Sequence, residues 1–295
     1  MRVGVIGLGD MGSGLAKNLI ENGFETTGWD LLDHRMADFS AMGGHGVGSA
    51  KEVGANADAV FVMVMNGDQA KQVLLGENGA VAQMAAGGAV LMTATIHARE
   101  AREIAAAMDG TGVHLIDSPV SGGRPGAHGG TLTMMAAAPD AILDNFAPVM
   151  KAVGKDIHRV GSEPGMGQTV KACLQSLIGS IFSATYEASV LAAKAGVSGE
   201  VLRTVFGTSA AGNRLTDGSL DAIMNRRFED TGSGIGTMHK DLTIAMDLAR
   251  DLGVPLFTAS MAMQLFQAGI TKYPDGDNQS VTKVVEEIVG VGLKP

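Results

Sequence analysis

The chain holds one cysteine in 295 residues, Cys173, so no internal disulfide can form and a reducing, cytoplasmic setting is expected. Aromatic residues are scarce at 4%, which leaves little from which to build a stacking platform for bases. Positive charge is in deficit: 22 Lys and Arg face 31 Asp and Glu, giving a net charge of −9. That balance argues against nucleic acid or an anionic membrane surface as a general partner. The seven histidines form no His-Glu-x-x-His pattern and no Cys/His cluster, so no metal site is expected. The chain opens on the strand-like Met1-Arg2-Val3-Gly4-Val5-Ile6, without a charged leader and long apolar segment, which again predicts a cytoplasmic protein. Cys173 has no histidine partner at a nucleophile's spacing and is read as a packing residue. The 18 methionines are read as flexible core filler.

What is present is enough hydrophobic residue, 45%, to bury more than one core, and the length favours two domains. Gly7, Leu8, Gly9, Asp10, Met11 and Gly12 follow an apolar strand and open a helical pattern through Leu15, Ala16, Leu19 and Ile20. This is the setting in which three spaced glycines hold a dinucleotide pyrophosphate: one makes the tight turn, one admits the phosphate, and one lets helix and strand pack. After the next strand comes Asp30, about twenty residues beyond the glycines, where an acid binds the adenosine ribose and repels the extra phosphate of NADP. NAD is therefore the expected cofactor. Arg35 lies near enough to accommodate that phosphate, so NADP stays open as the less favoured choice, and Asp30 also reads as an ordinary strand-end or capping aspartate. Apolar runs at 59–65 and 89–92 alternate with helical patterns near 68–75 and 98–108, which predicts a doubly wound parallel sheet. Ligands bind beyond the carboxyl ends of such strands, placing Met65, Asn66 and Thr95 at the cofactor's edge.

The strand 115–120 runs into Ser121-Gly122-Gly123, which can present a hydroxyl and bare backbone amides to a carboxylate, or can simply be a turn. A last strand ends near Gly161, and from about 165 onward strand signals give way to long apolar-periodic segments at 168–195, 198–206, 238–252, 255–268 and 279–289. The expected organisation is a Rossmann domain over 1–162 and an all-helical domain over 163–295, joined by a long helix at about 165–195. Near that helix's start Lys171 stands in an otherwise apolar or neutral stretch. Taken alone it reads as a snorkelling lysine; if buried, its ammonium loses water and trades protons more readily. Gln175, four residues on, shares its helical face. Further along, Gly232-Ser233-Gly234-Ile235-Gly236 reads as a flexible link ahead of a second candidate, Lys240.

Taken in order, the glycines of 7–12, Asp117-Ser118-Pro119-Val120-Ser121-Gly122-Gly123, Gly165-x-Gly167-Gln168-x-x-Lys171 and Lys240-Asp241-Leu242 resemble the β-hydroxyacid dehydrogenases, which include 3-hydroxyisobutyrate dehydrogenase. The resemblance covers essentially the whole chain, and 62–70 with 75–80 looks most like the family's L-threonate dehydrogenase branch. It implies an oxidoreductase with its active site between a Rossmann domain and a helical domain that also builds a homodimer or homotetramer. It further implies Lys171 as general acid/base, Ser121, Gly122 and Gly123 as holders of a substrate carboxylate, Lys240 near cofactor and substrate, and Asn213 as a substrate contact. The chain departs from the family where an asparagine pair usually follows the lysine and Leu174-Gln175 stands here. Gln175 still offers an amide to the substrate, while Leu174 does not. Within the same fold an NADP-preferring semialdehyde or keto acid reductase is the alternative enzyme; a silent dinucleotide-binding scaffold is the alternative outside enzymes.

Overall fold

A computed structural model describes residues 1–295, which divide into two compact units, Met1–Lys171 and Ala172–Pro295. In the first, strands alternate with helices: β1 (Val3–Ile6), α1 (Asp10–Glu21), β2 (Thr26–Trp29), α2 (Asp33–Ala41), β3 (His45–Gly46), α3 (Ala50–Ala55), β4 (Ala59–Val62), α4 (Gly67–Leu75), β5 (Ala89–Met92), α5 (Ala98–Ala107) and β6 (His114–Asp117). They form a parallel sheet in the order β3-β2-β1-β4-β5-β6. β1, β4 and β5 are buried on both faces, which is why they read as unbroken apolar runs. Their alternate residues enter two different cores. Val5, Phe61 and Leu91 meet Leu15 of α1 and Phe39 of α2 on one side. Ile6, Val60 and Met92 meet Val53, Leu74 and Ile104 of α3, α4 and α5 on the other. Period-two alternation thus becomes a helix layer on each face.

The sheet then changes direction. β7 (Val120–Ser121) leads through the short α6 (Gly123–His128) to β8 (Leu132–Ala137), which runs antiparallel to β6 and β7. α7 (Asp140–Val153) crosses back to β9 (Gly154–Gly161), parallel to β8. The segment between β7 and β8 is too short for the crossover of a dozen or more residues that a parallel return requires.

The second unit is all-helical: most of α8 (Met166–Lys194), then α9 (Gly199–Thr208), α10 (Arg214–Met224), α11 (Ile235–Leu252), α12 (Phe257–Lys272) and α13 (Thr282–Val289). Its core gathers Phe182, Tyr186, Leu220, Leu242 and Phe266, with the Phe182 and Tyr186 rings stacked 5.9 Å apart. By length and composition α8 could cross a bilayer, yet these buried rings give its apolar character a use inside the unit's core. The units part within α8 rather than at residue 162, because its first turn is hydrogen-bonded to Asp117, Ala94 and Ile96 of the sheet unit. Two further expectations change. The segment 232–236 is pinned, with Ile235 in the core and its amide bonded to the Gly276 carbonyl. Cys173 is exposed instead of packed, since two residues beyond Lys171 turn it about 200° around the helix.

Candidate active site

The residues expected to hold a dinucleotide lie at the carboxyl ends of β1 and β2. Gly7 has a φ of +89°, and a Cβ there would lie 2.3 Å from the Met63 carbonyl oxygen. A Cβ on Gly12 would lie 1.7 Å from the Gly7 carbonyl oxygen, so helix and turn meet at a distance only glycine permits. Gly9, before the first turn of α1, supplies no side-chain cap, which leaves the helix's first amides as donors for an anion. Met11 packs against the core and offers the loop its backbone. The Leu8 amide donates to Asp30 Oδ2 at 2.7 Å, and Arg35 Nη1 stands 3.3 Å from that same oxygen. This cradle of glycines, an uncapped helix start and an acid fits a nicotinamide dinucleotide. Asp10 follows in the first turn of α1, its carbonyl oxygen 3.0 Å from His128 Nε2.

The other residues expected at the cofactor's edge follow the next strand ends. Asn66 caps α4, its Oδ1 accepting from the Gln69 amide at 2.9 Å, and Met65 is exposed just before it. Thr95 is half-buried in the connection after β5. Beyond β6, Ser121 is half-buried and Gly122 and Gly123 are exposed with φ of +137° and +59°. Positive φ at both positions is a conformation that glycine adopts without strain. The turn is fastened to α1: a Cβ on Gly14 would sit 2.7 Å from Ala127 backbone, and Asn18 Nδ2 donates to the Ala127 carbonyl at 2.7 Å.

Lys171 lies on α8 with 6% of its surface exposed. What sequence reasoning missed is the apparatus before it. Asp117, fully buried at the end of β6, accepts hydrogen bonds from the Gly165 amide at 2.8 Å, the Gln168 amide at 3.3 Å and Gln168 Nε2 at 3.0 Å. Burial pushes the Asp117 carboxyl up to about 6, while the hydrogen bonds from Gln168 and Gly165 pull the other way by favouring the carboxylate. The available signal was an acid closing an apolar strand, since a buried carboxylate demands partners.

In the second unit, Gln175 Nε2 donates to Asp241 Oδ2 at 2.5 Å, and Lys240 Nζ stands 2.8 Å from Asp241 Oδ1. Asp241 thus holds both residues, and the Gln175 amide nitrogen expected to meet substrate is already engaged. Lys240 is half-buried inside α11, not an exposed helix-start residue. Asn213 is the N-cap of α10: its Oδ1 accepts from the Leu215 and Thr216 amides, and its Nδ2 donates to Ala211 and Thr216. Both polar atoms of the side chain therefore serve the start of α10.

Residues 2–161 match the family described as the NAD binding domain of 6-phosphogluconate dehydrogenase. Residues 165–285 match the NAD-binding family of NADP-dependent 3-hydroxyisobutyrate dehydrogenase. Across 295 residues the chain is 37% identical to an L-threonate dehydrogenase of Escherichia coli, covering 99% of this chain and 97% of that one. It belongs to the β-hydroxyacid dehydrogenase family. The family's members are NAD(P)-dependent oxidoreductases acting on CH–OH groups. A 2-(hydroxymethyl)glutarate dehydrogenase of Eubacterium barkeri is 30% identical over 99% of this chain and 97% of that one. The crystal structure of a 3-hydroxyisobutyrate dehydrogenase from Salmonella typhimurium superposes with a TM-score of 0.88 at 33% identity, covering 96% and 99% of the two chains.

Proposed function

We propose that this β-hydroxyacid dehydrogenase prefers NAD and oxidises a small hydroxy acid, with polyhydroxylated four-carbon acids such as L-threonate foremost, using Lys171 as the proton carrier. The observation that carries the reading is a buried lysine less than one turn beyond Gln168, whose amide Asp117 holds, in the same compact unit as the glycine-rich β1–α1 turn and the Ser121-Gly122-Gly123 turn. When bound, the dinucleotide supplies the nicotinamide that accepts the hydride of the hydroxyl-bearing carbon. Lys171, as the neutral amine, takes the hydroxyl proton while the carbonyl forms, a transfer worth about 10²–10⁴-fold. Ser121 and the Gly122 and Gly123 amides hold the substrate carboxylate. Gln175 keeps its Oε1 to accept from a further substrate hydroxyl because its Nε2 is taken by Asp241, and Lys240 adds positive charge held in place by the same acid. In reverse, the same residues serve reduction of a semialdehyde or keto acid.

What supports NAD is the position of Asp30 after β2, about twenty residues beyond the glycines, where a carboxylate would accept ribose hydroxyls and repel the extra phosphate of NADP. The specific case for NADP is Arg35, whose guanidinium reaches the Asp30 carboxylate and offsets part of its charge. The second unit leaves Leu191, Phe257 and Met261 largely exposed, which supports a homodimer or homotetramer; light scattering should give a mass at least twice the 30.2 kDa of one chain. The function itself is tested by a panel of hydroxy acids, L-threonate and 3-hydroxyisobutyrate among them, followed by absorbance of the reduced dinucleotide. Reduction with at least one acid, with kcat/KM about tenfold or more higher for NAD than for NADP, is the expected result. A wholly silent panel would overturn the reading.

A further inference from the structure

A proton carrier works only if its amine stands where the reacting hydroxyl will be, and that position is set by the helix bearing Lys171. α8 opens without a side chain of its own to cap it: the residue before it is Gly165, at φ +91°. The Asp117 carboxylate takes that role from another element, accepting the Gly165 and Gln168 amides at the positive end of the helix. Gln168, 1% exposed, then uses its whole side chain. Its Nε2 donates to Asp117 Oδ1 and to the Ala94 carbonyl, each at 3.0 Å, and its Oε1 accepts the Ile96 amide at 3.0 Å. Gln168 therefore brackets Thr95 on both sides. At Gly167 a Cβ would fall 2.5 Å from the carbonyl oxygens of Asp117 and Met135, so the helix start is seated on the strand ends without room for a side chain.

Three segments meet at this point: the 94–96 connection at the cofactor's edge, the strand end that continues into Ser121-Gly122-Gly123, and the turn that leads to Lys171. We propose that Asp117 and Gln168 are positioning residues that lock these segments together and so fix the place of the Lys171 amine for proton transfer. The proposal rests on Lys171 being the proton carrier. Three residues separate Gln168 from Lys171, less than one helical turn, so a shift of the helix start reaches the amine almost undiminished. A misplacement of about 1 Å in such a group costs about 10²-fold.

The test is a double-mutant cycle. Gln168→Leu should lower kcat by about 10-fold to 10²-fold while the dinucleotide Kd and the substrate KM each change less than about threefold. Combined with Lys171→Ala, the same substitution should cost less than about twofold more, because it acts through the amine already removed. Additive losses would overturn the proposal, since a merely structural role weakens both backgrounds alike. Asp117→Asn, which keeps the shape of the side chain, goes through the same cycle and decides the matter if Gln168→Leu does not fold. Failure of the underlying reading looks different: there Lys171→Ala alone would leave turnover intact.

Discussion

Replacing Lys171 with alanine should lower turnover by at least about 10²-fold and leave the dinucleotide Kd within about threefold of the parent. The asymmetry follows from where the residue stands. The residues proposed to hold the dinucleotide, Gly7, Gly9, Gly12 and Asp30, lie at the ends of β1 and β2, on other segments than the helix that carries Lys171. The lysine's part begins only when a hydroxyl proton must leave, so its removal should appear in kcat and not in binding. Arginine at the same position keeps the positive charge but does not deprotonate at working pH, so Lys171→Arg should be nearly as slow as alanine. Stopped-flow or steady-state rates together with fluorescence titration of the reduced dinucleotide separate the two quantities. A variant that turns over at the parent rate would remove the proton-carrier role altogether.

Gly12→Val should show the opposite pattern, with dinucleotide affinity falling by about 10²-fold or more. A Cβ at residue 12 would lie 1.7 Å from the Gly7 carbonyl oxygen, which is backbone and cannot swing aside as a flexible side chain would. The β1–α1 turn must open, and the amides at the start of α1 move off the phosphate position that the short turn gives them. Calorimetric titration reads the lost affinity, and a melting curve without dinucleotide shows whether the fold itself survives. Parent-like affinity in a folded Gly12→Val protein would mean that the dinucleotide does not sit on this turn.

The parts of the fold legible in the sequence were those with a local cause. β1, β4 and β5 are buried on both faces, and their unbroken apolar runs announce that directly. The glycines of 7–12 and the acid at the end of β2 point to a dinucleotide through their spacing, which is local in the sequence. The change of direction at β8 is not carried by the composition of its strand; it goes with a connection after β7 too short for a parallel crossover. α10 is hard to read from sequence because Asp217, Gly218 and Asp221 interrupt its apolar periodicity, and Asn213, the cap that marks its start, stands alone as a signal. At the site, the type of Lys171 and its neighbours was readable, while its support was not. Asp117 finds Gly165 across 48 residues of sequence, and Asp241 finds Gln175 across 66, separations at which no motif pairs them. A buried carboxylate signals that a partner exists without saying which it is.

The central claim is transfer of hydride from the hydroxyl-bearing carbon to the dinucleotide as the hydroxyl proton leaves. Its most direct test uses the best acid of the panel, labelled with deuterium at that carbon, and mass spectrometry of the dinucleotide after turnover. The account predicts reduced dinucleotide carrying the deuterium; reduced dinucleotide without the label would contradict it.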